Sequence, residues 1–144
     1  MKPGVRSIEY AAASAFADFS CLPAGSAIRL SDYLTGELSN LPFTQDSASI
    51  SEKWDYSENG RSCDFTLSAA LRVDKASWRP KLRQMTGKKY IFVVTLISGE
   101  KFIIGSLQFL PVFTFEDGIS GISSDGFTFQ ISHQSLHGPI MVSQ

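Results

Sequence analysis

Residues Lys89 to Glu116 read KYIFVVTLI, then Ser-Gly-Glu, then KFIIGSLQF and LPVFTFE. Written as a strand, the first run puts Tyr90, Phe92, Val94 and Leu96 on one side and Ile91, Val93, Thr95 and Ile97 on the other. Both sides are apolar. Such a strand has to be covered on two faces, by the rest of a sandwich or by a neighbouring subunit. Ser98-Gly99 supplies a tight reversal, and Phe102, Ile103 and Ile104 run back as the hairpin partner. No catalytic or metal-binding pattern lies on this ribbon.

The rest of the chain reads as antiparallel structure around it. From Ser47 to Tyr56, Ala48, Ile50, Trp54 and Tyr56 face one way, with Glu52 among them at a rim. Ser47, Ser49, Ser51, Lys53 and Asp55 face the other. Asn59-Gly60 is a preferred hairpin reversal, because both residues tolerate positive φ. The return strand, Asp64 to Val73, alternates Phe65, Leu67, Ala69, Leu71 and Val73 with Asp64, Thr66, Ser68, Ala70 and Arg72. One wet face marks an antiparallel sheet. Gly126 to Ser132 is a further strand, with Phe127, Phe129 and Ile131 inward.

One helix is expected, Lys75 to Thr86. Ser77 caps it, Pro80 fits its first turn, Gly87 ends it, and Trp78, Leu82 and Met85 form its apolar stripe. Val5 to Tyr10 reads as an edge strand followed by an irregular turn; the competing reading is an Ala-rich helix from Ile8 to Phe19. Pro23-Ala24-Gly25 breaks the chain. Ala27 to Leu30 is a short strand, and Asp32 to Asp46 a loop with one helical turn. Asp117 to Asp125, DGISGISSD, reads as a flexible loop carrying Ile119 and Ile122, and Gln134 to Gln144 as a loosely held tail.

The length of 144 residues suits one β-rich domain, 1–144, with its own core. Charge is balanced, 13 basic against 14 acidic residues, so no net field favours nucleic acid or acidic lipid. Only 19% of residues are charged while 11 are Phe, which tilts the reading toward a surface partly covered by a partner. Cys21 and Cys63, 42 positions apart, form no CxxC pair; two reduced thiols is the favoured reading and a disulfide between them the alternative. Glu9 and Asp18 interrupt the Ala-rich stretch that a signal peptide would need unbroken. No run approaches the length of a membrane span. The expectation is a soluble protein made in the cytoplasm.

Reactive chemistry finds little support. His133 and His137, the only histidines, follow a strand and run into Gly138-Pro139, with no carboxylate or thiol beside them; they read as a solvated chain end. There is no GxSxG, and Cys63 has no histidine near it in sequence, so the expectation is a chain with no catalytic residue. Glu116-Asp117 reads as a solvated turn. Lys81, Arg83, Lys88 and Lys89 read as a solvated helix face without the interleaved aromatics of a single-strand binder. No metal or cofactor is required. The DGISGISSD loop has a second reading, a contact arm in which Ile119 and Ile122 order against a neighbouring subunit.

Several segments occur together in order: GVRSIEY, an ENG hairpin, LRQMTGKKYIFVVTLISGEKFIIGS, and LPVFTFEDGISGISSDGFTFQISHQSLHGP. From Gly4 to Pro139 this order resembles small proteins from the tail-morphogenesis region of prophages of Bacteroides-type bacteria, which in turn resemble tail-tube proteins. The resemblance implies an antiparallel sandwich or partly open barrel with one packed helix, stacked as rings whose inner strands join into a continuous barrel. It implies a virion structural protein that self-assembles into an oligomer and meets other tail proteins, in the bacterial cytoplasm during assembly and in the virion tail afterwards. The long β-arm of such proteins has its nearest counterpart in Asp32–Asp46. The polar rows Ser49, Ser51, Lys53 and Thr66, Ser68 would line a water-filled lumen. The alternative is a small-ligand or carbohydrate-binding β-domain, with Trp54, Tyr56 and Trp78 stacking on the ligand.

Overall fold

The computed structural model describes residues 4–17, 27–41, 43, 48–58, 60–72, 75–116, 126–135 and 138–142. The fold is mainly β, an open sandwich of two sheets with one main helix. The strands are β1 (Val5–Ala12), β2 (Ala27–Ile28), β3 (Ser39–Asn40), β4 (Ser49–Ser57), β5 (Gly60–Arg72), β6 (Tyr90–Leu96), β7 (Lys101–Ile104), β8 (Val112–Glu116), β9 (Gly126–Ser135) and β10 (Ile140–Val142). The helices are a single turn, α1 (Leu30–Tyr33), and α2 (Lys75–Met85). Six strands form one sheet in the order β2-β10-β7-β6-β1-β3, and four form the other in the order β4-β5-β9-β8.

The doubly apolar run occupies the middle of the six-stranded sheet as β6, between β1 and β7. Its two faces enter different cores. Phe92 and Val94 join Ile8, Ile104, Phe65, Leu67, Phe113, Phe129 and Ile131 between the sheets. Ile91 and Val93 face outward with Ile103, Ile28 and Ile140, under two stretches, one carrying Ala13 and Phe16 and the other Tyr33 and Leu34. The two stretches are tied to each other by backbone hydrogen bonds, Ala17 N–H donating to Tyr33 at 2.7 Å and Thr35 N–H to Ala15 at 2.7 Å. The cover for β6 thus comes from this chain itself. The two sheets meet through aromatic rings: Phe113 stacks on Phe92 of the opposite sheet at 6.0 Å and on Phe129 of its own at 5.9 Å. Burial of this set is the principal stabilising contribution.

Four expectations are corrected. The tail is not loose: β10 pairs antiparallel with β7 and parallel with β2, burying Ile140. A three-residue strand is too short for its alternation to stand out. The single strand expected at Ala27–Leu30 stops after Ile28, and the helical turn comes next. Helix α2 begins at Lys75, which places Ser77 and Pro80 inside it rather than at its start. Its apolar stripe is as expected, Leu82 and Met85 buried and Trp78 packed beside them. Finally, β4 has every residue exposed, although its sequence reads as half-buried. It is the outermost strand of its sheet and no β4 residue enters either core, so the expected inward row of Ile50, Glu52, Trp54 and Tyr56 overhangs the sandwich.

Candidate self-association surface

The four-stranded sheet differs from the six-stranded one in three features. Its outer face is largely polar, with Val112 on β8 and Ala70 on β5 as apolar positions. The registers align Ser49 with Ser68, Ser68 with Gln130, and Gln130 with Thr114; the next row is Ser51, Thr66, Ser132 and Val112. Gln130 donates to the Ser132 hydroxyl at 3.2 Å, and Thr114 to the Gln130 carbonyl at 3.5 Å. None of these side chains enters a core. Apart from Val112, which is 59% exposed, these two rows are hydroxyls and amides of the kind that stay wetted.

Its second feature is a pair of open edges. Among the described residues β4 pairs only with β5 and β8 only with β9, so each strand has one row of backbone N–H and C=O groups facing outward. The six-stranded sheet ends instead on β2 and β3, two residues each.

The third feature is the overhanging row on β4. Tyr56 is 88% exposed and Trp54 38%. Gly138 shapes the seat of Trp54: its φ is +68°, and a Cβ there would lie 2.6 Å from indole Cζ2. Only glycine allows so close an approach. The indole N–H donates to a Glu52 carboxylate oxygen at 2.7 Å, and the Arg61 guanidinium lies 5.4 Å from the ring centre. The tight turn that presents this end of the ribbon pairs Ser57 with Gly60, so the reversal falls one position earlier than the Asn59-Gly60 reading places it, and Gly60, with a φ of +110°, is the first paired residue of the return strand. Asn59 itself lies outside the described residues.

The three aromatics expected as a ligand platform are not brought together along the sheet. Tyr56 stands opposite Arg61, whereas α2, which carries Trp78, follows the far end of β5 at Arg72, roughly 36 Å along the strand. Trp78 packs partly on the core and has the Lys81 ammonium 4.6 Å from its ring centre. Ile119, Ile122, His137, Cys21 and Asp117 lie outside the described residues. Lys81, Arg83, Lys88 and Lys89 are exposed, as read from the sequence.

His133 corrects the expectation of a solvated chain end. β9 continues beyond Ser132, and the odd-numbered positions keep facing inward, so His133 is buried with Phe127, Phe129 and Ile131. Its Nε2 meets the Phe109 carbonyl at 2.8 Å. A carbonyl only accepts, so Nε2 carries the proton and holds the loop before β8 against the sheet. Beside it a cleft of about 550 Å³ is lined by Asp64, Thr66, Gln108, Leu110, Ser132 and Gln134 among others. Cys63 is a buried free thiol at the inward position opposite Trp54. Burial, then the Glu52 and Asp64 carboxylates, push its pKa up to about 11, away from the thiolate a nucleophile needs. Among the described residues no three His, Cys, Asp or Glu side chains gather as metal ligands, and no helix is long and apolar enough to cross a membrane.

No protein-family model, curated protein or solved structure matches the chain.

Proposed function

We propose that the chain is a non-enzymatic structural subunit of a phage or prophage tail that self-associates into rings or a tube through the edges of its four-stranded sheet. The observation that carries this reading is that sheet itself: two edges open among the described residues, one face sealed on the core and the other largely polar. All its pairings are antiparallel and the strand count is even, so β4 and β8 run in opposite directions. Copies related by rotation about an axis along the strands can therefore add β8 of one to β4 of the next as an ordinary antiparallel pair. Repetition gives a closed barrel with no free edges and a hydroxyl-lined lumen. Other tail proteins would meet the ring at its ends, and neither a cofactor, a membrane nor a specific nucleic-acid sequence enters the scheme.

Light scattering over a concentration series, with negative-stain images of the same samples, tests the reading. Rings or tubes are the expected outcome. A monomer at every concentration, alone and with co-expressed tail proteins, removes it.

A further inference from the structure

Building on the self-association reading, we infer the register of the joint: Glu116 of one copy opposite Lys53 of the next, with Phe115 opposite Trp54 and Phe113 opposite Tyr56. The occupant of the β4 edge is thus the β8 edge of a second copy of this chain.

The argument begins with the side-chain parity of the two edges. On β8 the inward residues are Phe113 and Phe115, and the outward ones Val112, Thr114 and Glu116, since these pair with outward Ser132, Gln130 and Thr128. On β4 the inward row is Ile50, Glu52, Trp54 and Tyr56, and the outward row Ser49, Ser51, Lys53, Asp55 and Ser57. Joining the sheets without flipping a face requires inward to meet inward. Of the registers this permits, the one above pairs the only lysine of β4 with the only acid of β8. It also sets two aromatic pairs side by side, the arrangement that gives cross-strand neighbours their largest contributions.

Both adjacent registers lose the Lys53–Glu116 pair. A slip of two residues one way sets Glu52 against Phe115 on the inward side and leaves Lys53 opposite Thr114. A slip of two the other way sets Glu116 against Asp55, like charge against like. The chosen register also covers Tyr56, the most exposed of the large apolar side chains on the described surface. It extends the ring sequence Phe129–Phe113 by one further aromatic across the joint.

A barrel imposes an independent condition. Within one copy Trp54 is level with Cys63, and Cys63 with Ser135. The β8–β9 register, carried past Val112, sets Ser135 level with position 109. At the joint Trp54 of the next copy meets Phe115, six residues further on. Each copy of four strands therefore carries a stagger of about 20 Å over a width of about 19 Å. The resulting strand tilt is about 45°, at the upper end of the range closed barrels adopt. Charge and aromatic pairing at the edges do not depend on this condition, yet the register they select meets it.

Charge reversal tests the register. Lys53 and Glu116 are exposed in the protomer, so Lys53→Glu and Glu116→Lys should leave its fold and thermal midpoint intact. Each single change should raise the concentration for assembly about threefold or more, and the double change should restore it toward wild type. A double variant no better than the singles overturns the register while wild-type assembly keeps the self-association reading. A wild type that never assembles overturns both, and a wild type that assembles only on another protein overturns the second-copy occupant. As a second measurement, Lys53→Cys with Glu116→Cys should form a disulfide between protomers in a Cys21→Ser background, and Lys53→Cys with Thr114→Cys should not. The reverse pattern of cross-links overturns the register.

Discussion

Cys63 and Gly138 share the underside of Trp54, and each makes a separate demand there. At Gly138 a side chain would need both a left-handed backbone and space that the indole fills. Gly36 has a φ of +98° with nothing within 4 Å of where a Cβ would sit, so it isolates the backbone contribution. Gly36→Ala should cost roughly 1–3 kcal/mol and Gly138→Ala more, as measured by urea unfolding. Equal costs would mean that Trp54 yields without penalty. Cys63 makes a prediction in pH. Its folded pKa, about 11, lies above the ordinary value of 9.0, so the folded state keeps a proton that the unfolded chain has released. Stability is fully present below about pH 9 and declines as pH rises toward 11. Tyr10, also raised by burial and by Tyr90, adds a decline of the same sign. The thermal midpoint should therefore fall over that window in a Cys21→Ser background, and Cys63→Ala should flatten part of the fall. An identical slope in both proteins would show that the thiol is not held neutral by the fold.

Among the elements, β10 gives the sharpest test because it is a strand where the sequence reads as a free tail. Ile140 is 1% exposed and Met141 37%. Ile140→Ala should destabilise the protein by about 2–5 kcal/mol and Met141→Ala by well under 1 kcal/mol, read from denaturant midpoints. Similar small effects would return the segment to a loose tail. What is legible in advance follows the length of each pattern. β5, β6 and β9 carry long alternations or doubly apolar runs, and their ends fall within a few residues of the reading. β2, β3 and β10 have two or three residues each, and long-range pairing rather than local pattern makes them strands. The failure at β4 is different in kind. Its alternation is correct and its pairing is correct, but alternation does not say whether a second layer extends beneath the strand. The burial of His133 escapes the sequence for a related reason. A histidine after Phe127, Phe129 and Ile131 breaks the apolar series while keeping its parity, and the carbonyl of Phe109 that satisfies it lies in a distant loop. The aromatics Trp54 and Tyr56 are legible as a pair; their separation from Trp78 depends on the course of β5.

At the scale of the whole molecule the two sheets differ in what they leave uncovered. The six-stranded sheet is covered on both sides, by the four-stranded sheet and by two stretches that carry Ala13 and Phe16, and Leu30, Tyr33, Leu34 and Leu38. The four-stranded sheet has no second cover among the described residues, and its open face carries mainly serine, threonine and glutamine, with Val112 the large apolar side chain among them. In an assembly joined through β4 and β8 this face lies inside and the segment around Arg29 lies outside. The two faces are thus distinguishable by access. In a Cys21→Ser background, Ser68→Cys should react with a small maleimide in both monomer and assembly, but with a bulky polymer-linked maleimide only in the monomer. Arg29→Cys, exposed on the other side, should accept both reagents in both states. Protection of position 29 with free access at position 68 would turn the subunit inside out, and the polar face would then be an outer wall rather than a lumen. Equal access at both positions would leave the subunits joined without enclosing a channel, which the even, antiparallel strand count by itself permits.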